Sequence, residues 1–288
     1  MTSRPTVARR AEQLLGSSVV ATAPVAGGDI STATRLRMSD GTVAFVKTLP
    51  TPPPGFYAAE ARGLRWLAEA EPAGGAPVPT VLAADEDCLI LRWVEPGRPT
   101  ETAAADLGRA LAATHDAGAP SYGAEADGWI GRLPLPNGAA PTWAEFYATR
   151  RVLPYLKVAR DRGAVDAGQA GQVEQLVGRF TTLLPEEPPS RLHGDLWSGN
   201  VVWGVDGVAR LIDPAAYGGH READLALLSL FGLPQLPRVL DAYAEAHPLA
   251  DGWEDRVGVH QLFPLLVHAA MFGGGYGARA AQVAARYL

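Results

Sequence analysis

Cysteine is almost absent from this sequence of 288 residues, in which Cys88 is the only one. A single cysteine cannot form an intramolecular disulfide, and it excludes both a cysteine-rich zinc site and a CxxC redox pair. A reducing cytoplasm is the simplest location for such a chain, and we predict a cytoplasmic protein.

Long apolar runs and an excess of positive charge are also missing. No segment reaches the roughly 18 unbroken apolar residues that a membrane span needs, and residues 1–16 lack the apolar core of a signal peptide. The formal net charge is -6. These features argue against nucleic-acid and membrane partners, but they leave room for a local basic pocket that binds phosphate.

The first third of the chain has the pattern of a small sheet with one prominent helix. After a short helix predicted from about Pro5 to Leu15, runs rich in β-branched residues alternate with Gly and Asp turns. The predicted strands cover 18–25, 32–38, 42–49, 80–84 and 88–94, and a helix is predicted over 56–71. We predict a small N-terminal lobe, residues 1–95, built on an antiparallel β-sheet.

Helical periodicity dominates the rest of the chain. The predicted helices cover 103–117, 143–160, 167–184, 221–230, 237–246 and 253–272. One island of strand character interrupts them, where Asp206-Gly207 separates two short apolar runs and predicts a hairpin. The prediction is an α+β, bilobal kinase-like fold with a larger, mainly helical C-terminal lobe, residues 96–288.

The strongest chemical signal is the segment HGDLWSGN and the hairpin that follows it. Asp195 and Asn200 are five residues apart, which matches the D-x-x-x-x-N spacing of a kinase catalytic loop, and Asp213 ends the hairpin. Asp195 is predicted to accept the proton of an attacking hydroxyl. Asn200 and Asp213 offer the oxygen ligands that Mg²⁺ prefers. The alternative is that all three are ordinary turn and strand-end residues.

The N-terminal lobe offers candidates for a nucleotide clamp. Gly27 and Gly28, followed by Ser31, lie between two strands, where small residues let backbone N–H groups approach the phosphates of ATP. Lys47 ends an apolar strand, from which a lysine could reach the same phosphates. Glu60 lies on the apolar face of the next helix, and a buried carboxylate needs a partner, so we predict a Lys47–Glu60 ion pair.

At this point the sequence resembles the fructosamine (ketosamine) kinase family, within the wider group of kinases similar to the aminoglycoside phosphotransferases. The similarity covers nearly the whole chain: HGDLWSGN, then IDPAAYGGHREADLALLSLFG, and the inserted segment YGAEADGWIGRLPLPNGAAPTWAEFYATRR. The resemblance implies the same roles for Asp195, Asn200 and Asp213 and for the Lys47–Glu60 pair. It also implies that Arg92, Trp93 and Val94 form a hinge that binds adenine through backbone groups.

The resemblance further implies a reaction and a biological role. The γ-phosphate of ATP would pass to the sugar 3-hydroxyl of a ketosamine, which is a glycated amine on a small molecule or a protein. The product is unstable, so the implied role is deglycation repair. Other small-molecule kinases of the same fold, acting on an aminoglycoside, choline or homoserine, are the main alternative, and a catalytically dead nucleotide-binding scaffold is another.

Candidate substrate contacts follow from position. Trp197 lies inside the catalytic loop, Tyr217, His220 and Arg221 follow the metal-binding Asp213, and Trp129 belongs to the inserted segment. Each has a structural alternative: the tryptophans could pack in the core, and Arg221, with Glu222 and Asp224, could cap a helix or brace the catalytic loop.

Overall fold

A five-stranded antiparallel sheet forms the N-terminal part of the molecule, for which a computed structural model describes residues 6–26 and 31–288. The strand order is β1-β2-β3-β5-β4. The strands are β1 (Val19–Val25), β2 (Thr32–Met38), β3 (Val43–Thr48), β4 (Val81–Ala84) and β5 (Cys88–Arg92). The predicted antiparallel sheet is confirmed, and β3, which carries Lys47, lies at its centre.

Two helices pack beside this sheet. Helix α1 (Val7–Leu15) ends at Gly16, whose left-handed φ of 68° favours glycine. Helix α2 (Phe56–Ala68) buries an apolar stripe of Tyr57, Ala61, Leu64 and Leu67. It ends before the predicted residue 71, and a 3₁₀ turn (Glu71–Ala73) follows, since Pro72 has no N–H to continue the helical ladder.

The C-terminal part is mainly helical, as predicted. Its helices are α3 (Glu101–Asp116), α4 (Trp143–Phe146), α5 (Leu153–Asp161), α6 (Ala167–Val177), α7 (Phe180–Leu183), α8 (Glu222–Phe231), α9 (Leu236–Ala246), α10 (Trp253–Phe272) and α11 (Tyr276–Ala285). A π-helical turn (Tyr147–Val152) interrupts the predicted helix over 143–160. Helix α11 was not predicted from the sequence.

Three two-stranded sheets punctuate these helices. They are formed by β6 (Gly128–Ile130) with β7 (Leu133–Leu135), β8 (Ser190–Leu192) with β11 (Tyr217–Gly219), and β9 (Val201–Trp203) with β10 (Ala209–Leu211). The hairpin predicted at Asp206-Gly207 is the β9–β10 pair, and Gly207 takes the left-handed φ of 78° that the turn needs.

The two parts of the molecule share a buried apolar cluster. It joins Leu64 of α2 and Leu91 of β5 to Leu196, in the loop after β8, and to Leu225 of α8. A second cluster fills the helical part, and a smaller one lies between α1 and the sheet. Among the described residues no helix is both long and apolar enough to cross a bilayer. The shared cluster fixes the catalytic loop relative to the sheet.

Candidate active site

A cavity of about 1330 Å³ lies between the sheet and the helical part. Ala33 of β2, Leu91 of β5 and Val94 line its sheet side, and Asp195 and Asp213 line its floor. Ligand pockets for a single drug-sized molecule usually measure roughly 300–1,000 Å³. The cavity therefore has room for a nucleotide and a second small molecule.

The loop after β8 presents Asp195 to this cavity. Asp224 of α8 accepts hydrogen bonds from the N–H groups of His193 at 2.7 Å and Gly194 at 3.0 Å. The φ of Gly194 is 80°, and a Cβ there would lie 2.2 Å from the carbonyl oxygen of Ala215, so only glycine fits. The aspartate of one helix thus fixes the backbone that carries the candidate base.

His193 contributes to the same loop as a neutral ring. Its Nε2 lies 2.8 Å from the carbonyl oxygen of Ile212, and its Nδ1 lies 3.3 Å from the N–H of Asp195. Burial lowers its pKa. A neutral imidazole can donate from Nε2 and accept at Nδ1, which suits orientation of the loop and leaves no proton for transfer.

Asp195, the predicted base, lies beside Asn200. The Asn200 side-chain amide donates to the backbone oxygen of Asp195 at 2.8 Å and to its carboxylate at 3.2 Å. Burial, together with the negative charge of Asp213, raises the pKa of Asp195 to about 7. A carboxylate tuned upward in this way is matched to accept a proton near neutral pH.

Lys47, Glu60 and Asp213 form an ion-pair network on the sheet side of the cavity floor. The Lys47 Nζ lies 2.8 Å from both oxygens of Glu60 and 3.0 Å from the carboxylate of Asp213. Burial alone would lower the pKa of Lys47, but the two carboxylates outweigh that effect and raise it. The ammonium therefore stays charged, and the predicted Lys47–Glu60 contact is present.

Asp213 reaches this position through unusual backbone geometry. Its φ is 55°, in the left-handed region that Asp tolerates better than most residues. The β9–β10 hairpin returns the chain so that the N–H of Ile212 donates to the carbonyl oxygen of Asn200 at 2.9 Å. The hairpin therefore places the two predicted metal ligands on neighbouring segments.

We name Lys47, Glu60, Asp195 and Asp213 the cavity cluster. Its three carboxylates share one ammonium, so the cluster carries a net charge of -2 when all three are ionised. Asn200 uses its amide nitrogen on Asp195, so its amide oxygen remains for a cation. Oxygen donors with excess negative charge fit Mg²⁺, which takes one or two protein carboxylates and completes its shell with water and phosphate oxygens.

The segment predicted as the hinge follows β5. Arg92, Trp93 and Val94 all line the cavity. The N–H of Trp93 donates to the carbonyl oxygen of Val43 at 3.0 Å, whereas the N–H of Val94 has no acceptor among the described residues. The guanidinium of Arg35 lies 4.8 Å from the centre of the Trp93 ring.

Three other residues were predicted to bind the nucleotide, and the structure describes one of them. Ser31 lines the cavity. Gly27 and Gly28 lie outside the described residues.

Two of the predicted substrate residues line the cavity. The Trp197 ring packs against Phe231 at 6.0 Å and lies over Gly199, where a Cβ would come within 2.4 Å of the ring. Trp129 of β6 lies 6.0 Å from Phe56 of α2.

The other three, Tyr217, His220 and Arg221, are buried away from the cavity. The Arg151 guanidinium covers the ring of Tyr217 at 3.9 Å. Arg221 donates to both oxygens of Glu187, at 2.8 and 2.9 Å. These three residues therefore do not form the predicted substrate contacts, because their side chains pack against or pair with other residues inside the protein.

His220 belongs to a second group of titratable residues, which we name the buried histidine cluster: Glu187, His220, Arg221, Glu222, Arg256 and His260. Donor atoms of His220, Glu222 and His260 lie within 4.8 Å of one another. Arg256, however, already binds both oxygens of Glu222, at 3.0 and 2.5 Å. With Glu187 paired to Arg221, both carboxylates are neutralised, and the N-terminus of α8 adds positive potential. A divalent cation there would be an uncompensated buried charge.

Asp224 and His115 support the catalytic loop from inside the helical part of the molecule. Bracing of the catalytic loop was one of two open interpretations for Asp224, and the structure confirms it. His115 of α3 lies 3.2 Å from Asp224 and 2.8 Å from the hydroxyl of Tyr243. The sequence signal was an acid at the start of the apolar run of α8, since an acid that is buried needs partners.

Comparisons of the sequence with known proteins give one consistent result. A family model described as fructosamine kinase matches residues 3–288. A probable ketoamine kinase of Thermus thermophilus is 41% identical over 254 residues, 88% of this chain and 88% of that protein. A protein-ribulosamine 3-kinase of Arabidopsis thaliana is 33% identical over 92% of this chain and 81% of its own length.

Solved structures show the same relationship. A crystal structure of a fructosamine-3-kinase candidate from Thermobifida fusca superposes with a TM-score of 0.92 at 48% identity, covering 98% of this chain and 99% of that one. A thermostable aminoglycoside phosphotransferase, solved with AMP-PNP and hygromycin B, shares the fold alone, with a TM-score of 0.63 at 18% identity over 97% and 98% of the two chains. The fold is therefore the bilobal kinase-like fold, which uses ATP, and the chain belongs to the fructosamine kinase family.

Proposed function

We propose that this enzyme transfers the γ-phosphate of ATP to the sugar 3-hydroxyl of a ketosamine. One observation carries the proposal: Asp195, with its raised pKa, lies on the floor of a cavity with room for both substrates. Membership of the fructosamine kinase family supports the ketosamine, and the Arabidopsis relative's name supports the 3-position.

The cavity residues divide the work between the two substrates. Residues 1–95 would clamp the nucleotide, with Lys47 on the phosphates, Glu60 holding Lys47, and Ser31 in the phosphate loop with Gly27 and Gly28. The backbone at Arg92, Trp93 and Val94 would bind the adenine edge, for which the N–H of Val94 is available. Residues 96–288 would supply the catalytic loop and the acceptor side of the cavity.

Asp195 would act on the acceptor. Its carboxylate would accept a hydrogen bond from the sugar hydroxyl, orient the oxygen toward the γ-phosphorus, and take the proton as the new O–P bond forms and the bond to ADP breaks. The Trp197 ring offers an apolar face against which the sugar or the amine stem would pack.

Asn200 and Asp213 would hold Mg²⁺. When bound, the ion neutralises charge on the phosphate oxygens. A cation there would offset the excess of carboxylates over ammonium groups in the cavity cluster. Phosphorylation beside the carbonyl of a ketosamine gives an unstable product that releases the amine, so we propose deglycation as the role.

The substrate is tested by a panel of acceptors. The protein is incubated with Mg-ATP and either ribulosyl-lysine or fructosyl-lysine, with kanamycin, choline and homoserine as controls, and release of ADP is measured. We expect turnover with a ketosamine, and ³¹P NMR should place the phosphate on the 3-hydroxyl. Turnover of a control alone would overturn the ketosamine assignment. A free and a peptide-bound ketosamine, compared at equal concentration, show which form is preferred.

A further inference from the structure

Helix α2 carries Glu60, and contacts with other elements hold this helix in place. It begins at Phe56, after Gly55, whose φ is 71° and which offers no side-chain cap. Its buried stripe faces the sheet, and Gly63 lies so close to Pro214 and Ala216 that an added Cβ would be 3.3 Å from each. These contacts fix two sides of the helix.

A third side of α2 is covered by the helical part of the molecule. We name residues 126–137, which include β6 and β7, the inserted hairpin. The ring of Trp129 lies 6.0 Å from that of Phe56, and the guanidinium of Arg62 donates to the carbonyl oxygen of Asp127 at 3.1 Å. Phe56 and Arg62 flank Glu60 on the helix, so the hairpin contacts the turn on either side of it.

The inserted hairpin is itself anchored firmly. The carboxylate of Asp127 accepts from the N–H of Asn137 at 2.8 Å, and the amide of Asn137 donates to the carbonyl oxygen of Ala126 at 3.2 Å. Arg151 then donates to the side-chain oxygen of Asn137 and to the carbonyl oxygen of Pro136, both at 2.6 Å. These bonds close the base of the hairpin and join it to the helical part.

Arg151 explains why this anchor is rigid. It is fully buried, and its guanidinium donates to neutral oxygens and not to a carboxylate. Its guanidinium is instead held by hairpin oxygens and by the rings of Phe146 and Tyr217, 4.6 and 3.9 Å away. Moving the hairpin would strip a buried charge of its acceptors, which is costly. The hairpin therefore acts as a fixed extension of the helical part.

We propose that the inserted hairpin positions α2, with Trp129 as the positioning residue that keeps Glu60 bonded to Lys47. The proposal rests on the proposed function, because it gives Lys47 the task of holding ATP phosphates. It assigns Trp129 an effect on the nucleotide through Phe56 and α2, where the sequence had suggested contact with the acceptor. Without the indole, only the Arg62–Asp127 hydrogen bond joins α2 to the hairpin, and the ion pair becomes looser.

The decisive experiment measures nucleotide affinity without any acceptor. Calorimetry with Mg-AMP-PNP is carried out on the wild type, Trp129→Ala, Trp129→Phe and the control Arg132→Ala. Arg132 lies exposed in the turn of the same hairpin and has no ion pair among the described residues. We expect Trp129→Ala to weaken binding about tenfold, as for contacting residues that couple, and Trp129→Phe to restore affinity to within about twofold. Arg132→Ala should bind like the wild type.

A double-mutant cycle with Phe56→Leu tests the route of the effect. If Trp129 acts through Phe56, the two losses in affinity are not additive, because removal of either ring breaks the same contact. Nucleotide affinity that is unchanged in Trp129→Ala, with a raised KM for the acceptor alone, would overturn the proposal and return Trp129 to the substrate. Thermal unfolding of each variant, measured with and without nucleotide, separates a loosened α2 from global destabilisation. Failure of the wild type to phosphorylate ketosamines would refute the proposed function. The nucleotide-binding results could still be interpreted, because they are measured without an acceptor.

Discussion

The cavity cluster and the buried histidine cluster are built from similar groups but differ in charge balance. In the cavity cluster, Glu60, Asp195 and Asp213 share the single ammonium of Lys47. In the buried histidine cluster, the two carboxylates each have an arginine partner. The first opens into the cavity, whereas the second is enclosed between α8, α10 and the loop before β8.

This difference favours a ligand-binding role for the cavity cluster and a structural role for the buried histidine cluster. Burial, and then the negative charge of Asp213, raises the pKa of Asp195 to about 7. In the other cluster, burial by itself would raise the pKa of Glu222, but hydrogen bonds from His260 and Arg256 outweigh it and lower that pKa to about 2. Both clusters contain groups with perturbed pKa values, so a perturbed pKa alone does not identify a functional site. The excess of negative charge is what distinguishes the cavity cluster.

Replacing the candidate base should produce the largest effect. Asp195→Asn keeps the shape of the side chain but cannot take a proton, so we expect kcat to fall by about 10²–10⁴-fold. ADP release with a ketosamine acceptor measures it. The control Asp206→Asn, in the exposed β9–β10 turn, should keep its activity. Turnover by Asp195→Asn at the wild-type rate would remove Asp195 from the mechanism.

Removing one negative charge from the cavity cluster should weaken binding of the metal and nucleotide. For Asp213→Asn we expect kcat/KM for ATP to fall about 10²-fold and the magnesium concentration for half-maximal rate to rise, because a neutral amide is a poorer Mg²⁺ ligand. A magnesium titration at fixed ATP measures both. An unchanged magnesium requirement would show that Asp213 is not a ligand.

Breaking the arginine pair in the buried histidine cluster should cost stability and leave catalysis intact. Glu222→Gln leaves the largely buried Arg256 without a counter-charge, so we expect the free energy of unfolding to fall by about 3 kcal/mol. Urea denaturation measures it. Glu174→Gln, which removes an exposed partner 3.9 Å from Arg160, is the matched control and should change little. A loss of activity in folded Glu222→Gln would contradict a purely structural role for the buried histidine cluster.

The same cluster should give a smaller dependence of stability on pH. Burial, and then the neighbouring His260, lower the pKa of His220 to about 3 from 6.5. Between pH 6.5 and about 3, this histidine is protonated in the unfolded chain but neutral in the folded one. The free energy of unfolding therefore falls as the pH drops through this range, by at most about 1.4 kcal/mol per pH unit. His220→Phe, which keeps a ring between Trp143 and His260, should flatten this part of the curve. An identical slope in the variant would contradict the assignment.

Much of the site could be predicted because its parts are local in the chain. The interval between Asp195 and Asn200 is fixed by one loop, and Asp213 follows at the end of one hairpin. Glu60 was found because a lone acid on an apolar helix face needs a partner, and Lys47 is that partner. The hinge was placed by resemblance, and its role stays a prediction, as does that of Gly27 and Gly28.

Other features could not be predicted, because they depend on residues far apart in sequence. Tyr217, His220 and Arg221 follow Asp213 closely, yet the chain turns inward after Pro214 and buries them under Arg151 and against Glu187. Nothing in the local pattern around Trp129 shows that it meets Phe56, 73 residues earlier. Contacts of this kind arise from packing of whole elements.

The sequence alone determined the fold class, the order of the catalytic groups along the chain and the kind of chemistry they support, since hydrophobic period and motif spacing are local properties. The tertiary structure decided which charges are compensated. Arg256 and Arg221 meet their carboxylates only after α8, α10 and the loop before β8 pack together. Because a Coulomb interaction depends on distance in space and on burial, the two clusters could be told apart only in the folded molecule.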